Sequence, residues 1–249
     1  MIDKKDLTGK VLFIDCETSL IELYAHCIGS KQNIGHYQVK KDKKIICISY
    51  MVEGDKKPKS LVWDSKQDDK KLLNDFVDIA NAHDLIVAQN GDNFDVKVIR
   101  GRTFIQQCKP FPPVITLDTL KMSRQNMKLT SHKLDWKSKL IGRGGKLSTD
   151  FQLWVDVQNK DKEALKKMVT YCEQDVIELY EVFWKMIPYC AKLPYSLSIL
   201  VHDNRDGCPH CGSMQKKINR IMKTMTGNKV QFLCKNCGGY WTYHKKINV

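Results

Sequence analysis

The sequence contains no run of about eighteen or more apolar residues, and its first residues lack the layout of a secretion signal. These absences argue against a membrane-spanning helix and against export, so we expect no association with a membrane. No internal repeat or low-complexity tract is present, which excludes repeat arrays and fibrous chains. With 249 residues, 42% of them hydrophobic, the chain has enough apolar material for one mid-sized domain and a small appendage.

Acidic residues are outnumbered, with 28 Asp and Glu against 41 Lys and Arg, and the net charge is +13. Residues 208–249 contain eight Lys or Arg and no acidic residue, and residues 121–146 contain eight Lys or Arg and one acidic residue, Asp135. A positive excess of this kind favours a polyanionic partner, usually nucleic acid. A merely basic protein without such a partner is the alternative that charge alone leaves open.

The hydrophobic pattern predicts a layered α/β domain. In the segment Val11–Cys16 both alternating sets of side chains are apolar, which is typical of a central strand covered on both faces. The order of segments, three strands, a helix, a strand, a helix, a strand and then helices, indicates the same fold class. Further strands are predicted at residues 44–52, 60–64, 85–89 and 114–117, helices at 69–82, 95–107 and 162–186, and a linker at roughly 189–207.

Two acidic residues stand at the end of the first predicted strand. Asp15 and Glu17 are two residues apart, so their side chains point to the same side of the strand. Such a pair can chelate a hard divalent cation such as Mg²⁺ or Mn²⁺. A solvated turn is the alternative for this short motif taken alone.

Two further motifs carry carboxylates. The segment from Asn90 to Asp95 directly follows a buried strand, and Asp95 opens the next helix, at the strand edge where α/β folds place their sites. In the longest predicted helix, Tyr171 and Asp175 are four residues apart and therefore lie on one face. Helix capping is the alternative for Asp95, and an ordinary amphipathic surface is the alternative for Tyr171 and Asp175.

Together and in this order, the three motifs resemble those of the DEDDy group of 3′→5′ exonucleases in the ribonuclease H-like superfamily. Asp15-Cys16-Glu17-Thr18 is similar to the first motif, and residues 171–175 are similar to the third. Residues 90–95 are similar to the second, as found in proofreading domains of family B polymerases and their stand-alone relatives. The resemblance covers about residues 8–188. It implies an α/β, ribonuclease H-like fold with a mixed five-stranded sheet flanked by helices.

The resemblance also implies a role for each motif residue. Asp15 would bridge two Mg²⁺ or Mn²⁺ ions. Glu17 and Asp175 would hold the ion that binds the attacking water, and Asp95 would help to hold the second ion. Tyr171 would orient that water. The implied activity is hydrolysis of DNA from its 3′ end, with release of nucleoside 5′-monophosphates. Two alternatives stay open: an exoribonuclease with the same mechanism, and a nucleic-acid-binding replication accessory protein without catalytic activity.

Basic residues between the second and third motifs are candidates for holding the phosphate groups of the strand being trimmed. A solvated helical surface is the alternative for any one of them. Asn90, Asn93 and Phe94 of the second motif are assigned to the same nucleic-acid contact. Asp118 and Asp156 are interpreted as helix caps and are left outside the site. The basic candidates are Lys121, Arg124, Lys133, Lys137, Arg143 and Lys146.

Four of the ten cysteines form two Cys-x-x-Cys pairs. Cys208 and Cys211 are separated by 22 residues from Cys234 and Cys237, and glycine follows each pair. This spacing resembles a zinc ribbon, in which four thiolates hold one structural Zn²⁺. The other six cysteines are interpreted as small core or surface residues. The predicted domains are therefore an exonuclease domain at residues 1–188, a linker at 189–207 and a zinc ribbon at 208–249.

Expected partners follow from the same observations. Single-stranded DNA or frayed 3′ ends are the expected substrate, with RNA as the alternative. A separate DNA polymerase or replication protein is a candidate partner, because 249 residues cannot hold both activities. In the ribbon, Tyr240, Trp241 and Tyr243 are candidates for base stacking or for the ribbon's own core, and protein docking is a third use. The expected location is the cytoplasm, or the host cytoplasm if the protein is viral.

Overall fold

The structure of the protein, a computed structural model, describes residues 10–27, 29, 34–144, 149–191, 193–194, 196–200, 204–225 and 227–245, with the backbone alone at 243–245. Lys146 and the side chain of Tyr243, both named above as candidates, lie outside this part. The strands are β1 (Val11–Thr18), β2 (Glu22–Leu23), β3 (Val39–Lys41), β4 (Ile45–Val52), β5 (Lys59–Val62), β6 (Leu85–Ala88), β7 (Ile115–Asp118), β8 (Lys216–Thr224), β9 (Gly227–Cys234) and β10 (Tyr240–Lys245). The helices are α1 (Lys70–Asn81), α2 (Asp95–Ile105), α3 (Thr119–Asn126), α4 (Leu134–Leu140), α5 (Phe151–Gln158), α6 (Lys162–Met186) and α7 (Leu197–Leu200), with short 3-10 turns at His36–Gln38 and Ile187–Tyr189.

The central sheet has five strands in the order β5-β4-β1-β6-β7. Strand β1 pairs antiparallel with β4 and parallel with β6, and β7 extends the parallel half. A short hairpin joins β4 to β5, whereas helix α2 provides the crossover that parallel strands β6 and β7 require. The predicted mixed five-stranded sheet flanked by helices is confirmed.

Strand β1 runs through the middle of the sheet and is buried on both faces. Leu12 and Ile14 belong to one apolar cluster with α1 and α2, whereas Val11 and Phe13 belong to a second cluster with the C-terminal half of α6. Neighbouring residues on a strand point to opposite faces, so a strand without polar alternation has to be covered twice. The prediction of a central strand covered on both faces is confirmed.

Helix α6 has the bounds predicted from its apolar periodicity, Lys162–Met186. It begins at Asp161, whose side chain accepts hydrogen bonds from the first free N–H groups of the helix. The helix packs against β1 and β4, which brings the third motif to the end of the first strand. No helix among the described residues combines the length and the hydropathy needed to cross a membrane.

Two features are not predicted by the sequence pattern. A two-stranded sheet of β2 and β3 follows β1 along the chain. Part of the predicted linker packs against the domain, since Cys190 and Leu197 are buried in the second apolar cluster. The C-terminal strands form a separate antiparallel sheet in the order β10-β9-β8.

A buried ion pair joins helices α1 and α2. Arg102 makes two hydrogen bonds to the carboxylate of Asp69, at 2.8 and 2.9 Å, and the two side chains are 7% and 0% exposed. Burial by itself would raise the pKa of Asp69. Hydrogen bonds from Arg102, from the Ile45 N–H and from Gln106 outweigh that effect and hold the pKa below its usual value. The pair therefore stabilises the fold only while Asp69 is ionised.

Replacing Arg102 with Met is expected to lower the free energy of unfolding by about 3–5 kcal/mol near neutral pH, because Asp69 stays buried without its partner. Since folding lowers the pKa of Asp69, its contribution is complete above the unfolded pKa of about 3.9 and is lost as the pH falls through the lower folded value. Urea unfolding of both proteins at about pH 7 and about pH 3 measures this difference, which should shrink in acid. The control is Arg100→Met at an exposed position above the ring of Phe111, with an expected loss of about 1 kcal/mol. A difference that is the same at both pH values would contradict the assignment.

Candidate active site

The end of strand β1 presents two carboxylates on one side. Asp15 pairs with Ser49 of β4 and Glu17 pairs with Cys47, so the alternation of the strand keeps both acidic side chains on the same face. The register shifts just after Glu17, where the strand ends, and both carboxylates are partly exposed. The strand pairing therefore places the side chains of Asp15 and Glu17 on the same side of β1, as predicted.

Helix α6 adds a third carboxylate to this pair. One oxygen each of Asp15, Glu17 and Asp175 lies within 4.8 Å of the others, and Asp175 is only 4% exposed. Three negative charges at this distance repel one another, and a divalent cation bound between them relieves the repulsion. Carboxylate oxygens are the ligands that hard ions such as Mg²⁺ and Mn²⁺ prefer. The donor set is therefore compatible with a divalent metal of this class.

A buried thiol contacts Asp15 from the same helix. The sulfur of Cys172 lies 3.4 Å from both the backbone oxygen and Oδ2 of Asp15. Burial raises the pKa of Cys172 well above its usual value, so the thiol stays protonated and can donate to the carboxylate. Sequence reasoning missed this contact, because a cysteine inside an amphipathic helix has no distinguishing spacing.

Asp95 lies outside this group of three but touches the same strand. It is the first residue of α2 and is 2% exposed. Its Oδ1 accepts a hydrogen bond of 3.0 Å from the N–H of Cys16, the residue between Asp15 and Glu17. Burial raises the pKa of Asp95 to about 6, and a nearby cation would favour the ionised form. Of the four predicted carboxylates, the structure brings three together and holds the fourth against the backbone of the same strand.

The loop of the second motif is held from strand β7. Asn90 has a left-handed backbone (φ +63°), which asparagine tolerates better than most residues. Asp118 Oδ1 accepts hydrogen bonds from the N–H groups of Asn90 at 3.0 Å and of Leu120 at 2.9 Å. Asp118 therefore caps α3, as predicted, and also fixes this loop. The pairing of Ala88 with Asp118 across β6 and β7 creates the contact, and spacing along the chain does not reveal it.

Tyr171 is a buried residue of α6, 5% exposed, one helical turn before Asp175. Its ring packs edge-on against Trp154 of α5, with centroids 6.2 Å apart.

The N-terminal cap of α5 is Asp150, and Asp156 lies inside the helix. The interpretation of Asp156 as a cap is therefore wrong.

The predicted nucleic-acid contacts fall into two groups. Asn93 and Phe94 are exposed on the loop of the second motif, with Phe94 at 37%, and Arg124 and Lys133 are also exposed. These four stay predictions. Asn90 is partly exposed, and its backbone conformation shapes the loop.

Other basic candidates are occupied by partners within the protein. Lys137 is 4% exposed, and its ammonium group donates to Gln89 Oε1 at 2.7 Å. Burial lowers the pKa of Lys137 to about 8. The prediction of a surface phosphate contact is therefore wrong for Lys137. Two further candidates form ion pairs with acidic side chains: Lys121 with Asp92 at 2.7 Å, and Arg143 with Glu178 at 3.2 Å.

The four paired cysteines come together at one end of the C-terminal sheet, where β9 ends at Cys234. All four sulfurs lie within 4.8 Å of one another, with 3.7 Å between Cys208 and Cys237 and 3.7 Å between Cys211 and Cys234. A disulfide would need about 2.05 Å. A tetrahedron with metal–sulfur distances of about 2.3 Å has edges of about 3.8 Å, which is the geometry of a structural zinc site. The cluster therefore fits one tetrahedral Zn²⁺.

The turns that carry these cysteines depend on glycine. Gly212 and Gly238 have φ angles of +73° and +76°, where other side chains are strained. A Cβ on Gly239 would lie 2.6 Å from the ring of His210. The Nε2 atom of His210 is 3.1 Å from the backbone oxygen of Tyr240, so this histidine supports the turn and is not one of the grouped ligands.

Trp241 belongs to the core of the small sheet. It is 8% exposed and stacks on Phe232 at a centroid distance of 5.6 Å, beside Cys208 and Cys234. This burial supports packing in the core of the small sheet, and not base stacking, as the role of Trp241. Tyr240 is 48% exposed.

Comparisons with known proteins agree with this fold. Among solved structures, the chain is similar to the family B DNA polymerase from the hyperthermophilic archaeon Pyrobaculum calidifontis, with a TM-score of 0.52 and 13% sequence identity over 74% of this chain. The match spans 26% of the polymerase chain, and at this identity the likeness shows the fold alone. No curated protein sequence matches the chain significantly. Residues 12–187, more than half of the chain, match the RNase H superfamily, and the chain belongs to that superfamily.

Proposed function

We propose that the protein is a metal-dependent 3′→5′ exonuclease that hydrolyses DNA from the 3′ end and releases nucleoside 5′-monophosphates. Both the superfamily and the fold support nuclease activity. The observation that carries the proposal is the gathering of Asp15, Glu17 and Asp175 within 4.8 Å, with Asp95 held against the same strand. A protein that only binds nucleic acid has no need for concentrated negative charge where phosphates approach.

The carboxylates would hold the metal ions of the reaction. Asp15 would contribute to both ion positions, Glu17 and Asp175 to one and Asp95 to the other. When bound, two such ions stabilise the entering and leaving oxygens of an in-line phosphoryl transfer. The thiol of Cys172 donates to Asp15 and limits the rotation of its carboxylate.

The protein's own residues would then direct the hydrolysis. The Tyr171 hydroxyl would hold a water molecule in line with the bond between phosphorus and the 3′ oxygen. The water oxygen bonds to phosphorus and releases one proton to the solvent. The bond from phosphorus to the 3′ oxygen breaks, and that oxygen takes up one proton from the solvent to become the new 3′ hydroxyl. The phosphate stays on the 5′ side of the released nucleotide. In this proposal, Tyr171 assigns the chain to the DEDDy group.

The C-terminal module is proposed to be a zinc ribbon with one structural Zn²⁺. Four thiolates fill a tetrahedral site completely, so no position is left for a substrate or a water molecule. A sheet this small has too little apolar core to fold without a metal or a disulfide. The role of the ion is therefore to hold the sheet together.

Incubation of 5′-labelled single-stranded DNA, partly frayed duplex DNA and RNA with the protein and Mg²⁺ or Mn²⁺ tests the activity. We expect a ladder of strands shortened from the 3′ end, nucleoside 5′-monophosphate as the product, and no ladder with EDTA. A ladder with RNA alone would make the protein an exoribonuclease. Binding without a ladder in either metal would contradict catalysis and leave a binding protein.

Replacing Tyr171 with Phe is expected to lower kcat by about a hundredfold and to leave KM nearly unchanged, because the hydroxyl acts on the attacking water and not on substrate binding. Steady-state trimming of a labelled strand measures both constants. The control is Tyr180→Phe on the same helix. The Tyr180 hydroxyl donates a hydrogen bond of 3.1 Å to Glu53, which is not one of the grouped carboxylates Asp15, Glu17 and Asp175. Equal effects of the two substitutions would contradict the role of Tyr171.

A further inference from the structure

The C-terminal sheet has two chemically different faces. On β9, Val230, Phe232 and Cys234 alternate toward one face, where Trp241 of β10 pairs with Phe232 and both rings stack. Phe232, Trp241 and the four cysteines form the core of the sheet, and Val230 is also buried. The other face of β9 carries the intervening residues, which are polar or partly exposed.

Three basic residues share that other face, and we call this set the basic face: Lys217, Arg220 and Lys229. Lys217 pairs with Leu233, Arg220 with Gln231, and Lys229 with Met222, so the register places all three on the side opposite Phe232 and Trp241. Lys217 and Arg220 are exposed and Lys229 is partly exposed. Arg220 Nε also donates to Gln231 at 3.1 Å, which fixes the direction of its side chain.

The basic face has no acidic counterpart in its own module, because residues 208–249 contain no Asp or Glu. Surface lysines of the larger domain are different, since Lys71, Lys109 and Lys166 form ion pairs of 2.6–2.7 Å with acidic neighbours. Lysine on an edge strand can simply prevent pairing with other chains, and β8 is an edge strand. That explanation does not cover Lys229, which lies on the central strand β9.

The position of the sheet also fits a role beside the proposed catalytic centre. Tyr240, Cys237 and Gly238 line a cleft of about 390 Å³ together with Trp184 and Tyr189, at the C-terminal end of α6. At 1.5 Å per residue, the end of the helix at Met186 lies about 17 Å from Asp175. This distance equals about five stacked nucleotides at 3.4 Å each.

We propose that the basic face binds the phosphate backbone of a nucleic acid and, given the proposed function, holds the substrate several nucleotides away from the 3′ end being trimmed. Three cations on one face of a module whose residues 208–249 include no Asp or Glu suit successive phosphates and give no reading of base sequence. Trp241 lies on the opposite face and is buried, so its ring cannot stack on bases bound at the basic face.

The test uses the triple variant Lys217→Gln, Arg220→Gln and Lys229→Gln, made in an Asp15→Asn background and measured without added Mg²⁺ or Mn²⁺, so that hydrolysis during the measurement is negligible. Fluorescence anisotropy with a labelled single-stranded DNA of about thirty nucleotides measures the affinity over a range of salt concentrations. We expect weaker binding, and a salt dependence that is shallower by about two units of log K per log salt, from about 0.7 per lost phosphate contact. Retained zinc content and an unchanged unfolding curve verify that the sheet is folded.

The control variant removes the same net charge from the larger domain, with Lys71→Gln, Lys109→Gln and Lys166→Gln. We expect its salt dependence to stay within about half a unit of the parent protein. Equal losses in both variants, or an unchanged slope in the first, would overturn the proposal. If the salt dependence of the first variant were unchanged, the remaining role for the β8–β9 hairpin would be contact with a protein through the exposed Ile218 and Ile221.

Failure of the proposed function is distinguishable from failure of this inference. Binding is measured without turnover, so a protein that binds through the basic face but never shortens DNA would uphold the inference and contradict the nuclease. In the active protein, the second readout is the length of the strand: the rate of trimming should fall once the strand is shorter than about five nucleotides. The triple variant should lose this length dependence while retaining its rate on the shortest strands. A length dependence that persists in the variant would contradict the inference.

Discussion

Replacing Asp15 with Asn is expected to slow 3′-end trimming by about a thousandfold or more, which corresponds to about 4 kcal/mol of lost transition-state stabilisation. The substitution keeps the size of the side chain and removes the charge that both proposed ion positions share. It also removes one of three carboxylates that lie within 4.8 Å of one another. The repulsion among the remaining charges falls, so the free energy of unfolding should stay equal or rise. Single-turnover trimming and urea unfolding measure the two effects.

The matched control is Glu173→Gln in helix α6, two residues before Asp175. Its carboxylate accepts a hydrogen bond of 2.7 Å from Ser60 and is not part of the group of three. We expect this variant to trim DNA at a rate within about threefold of the parent protein. Loss of activity in Glu173→Gln, or retained activity in Asp15→Asn, would contradict the assignment of the catalytic carboxylates.

Replacing Cys208 with Ser is expected to release the proposed Zn²⁺ and unfold the C-terminal sheet. Binding of structural zinc contributes about 10–16 kcal/mol in comparable small modules, and most of this is lost with one ligand. The core that remains consists of Phe232, Trp241 and the other sulfurs, and it is too small to hold the sheet alone. The larger domain has its own two apolar clusters, so its unfolding transition should persist.

Zinc analysis of the purified protein, with proteolysis of the native state, measures this result. We expect one zinc per parent chain, none in the variant, and rapid cleavage of the variant within residues 208–249. The control is Cys27→Ser, because Cys27 is exposed and is not one of the four grouped sulfurs. A variant of Cys208 that retains zinc and resists cleavage would contradict the structural role of the cluster.

The fold was largely predictable because the apolar pattern within each segment of the chain determines its main strands and helices. Strand β1 has apolar residues on both faces, and α6 has a clear helical period between Lys162 and Met186. The order of strands and helices then leaves few arrangements for the sheet. The pair β2 and β3 was not predictable, since these strands have two and three residues and no apolar alternation.

The candidate site was predictable in part. The direction of Asp15 and Glu17 follows from the period of a strand, and the common face of Tyr171 and Asp175 follows from the period of a helix. The grouping of Asp175 with the first two depends on how α6 crosses the sheet. The resemblance to a known group of nucleases predicted this grouping, whereas the spacing of the residues alone did not.

The environment of individual basic and acidic residues could not be predicted. Lys137 can be buried because the side-chain oxygen of Gln89, 48 residues earlier in the chain, accepts a hydrogen bond from its ammonium group. Asp118 holds the loop of Asn90 because β6 and β7 pair in one particular register. A lysine in a basic segment and an aspartate before a helix look the same in sequence whether or not such partners exist. Tertiary contacts decide these cases.

The most direct test of the shared carboxylate site is a crystal structure of the protein soaked with Mn²⁺ and a nucleoside 5′-monophosphate, with anomalous scattering used to locate the ions. We expect two Mn²⁺ peaks about 3.5–4 Å apart, with Asp15 contacting both, Glu17 and Asp175 contacting one, and Asp95 contacting the other. Ions bound elsewhere, or side chains that do not contact them at saturating Mn²⁺, would contradict the account.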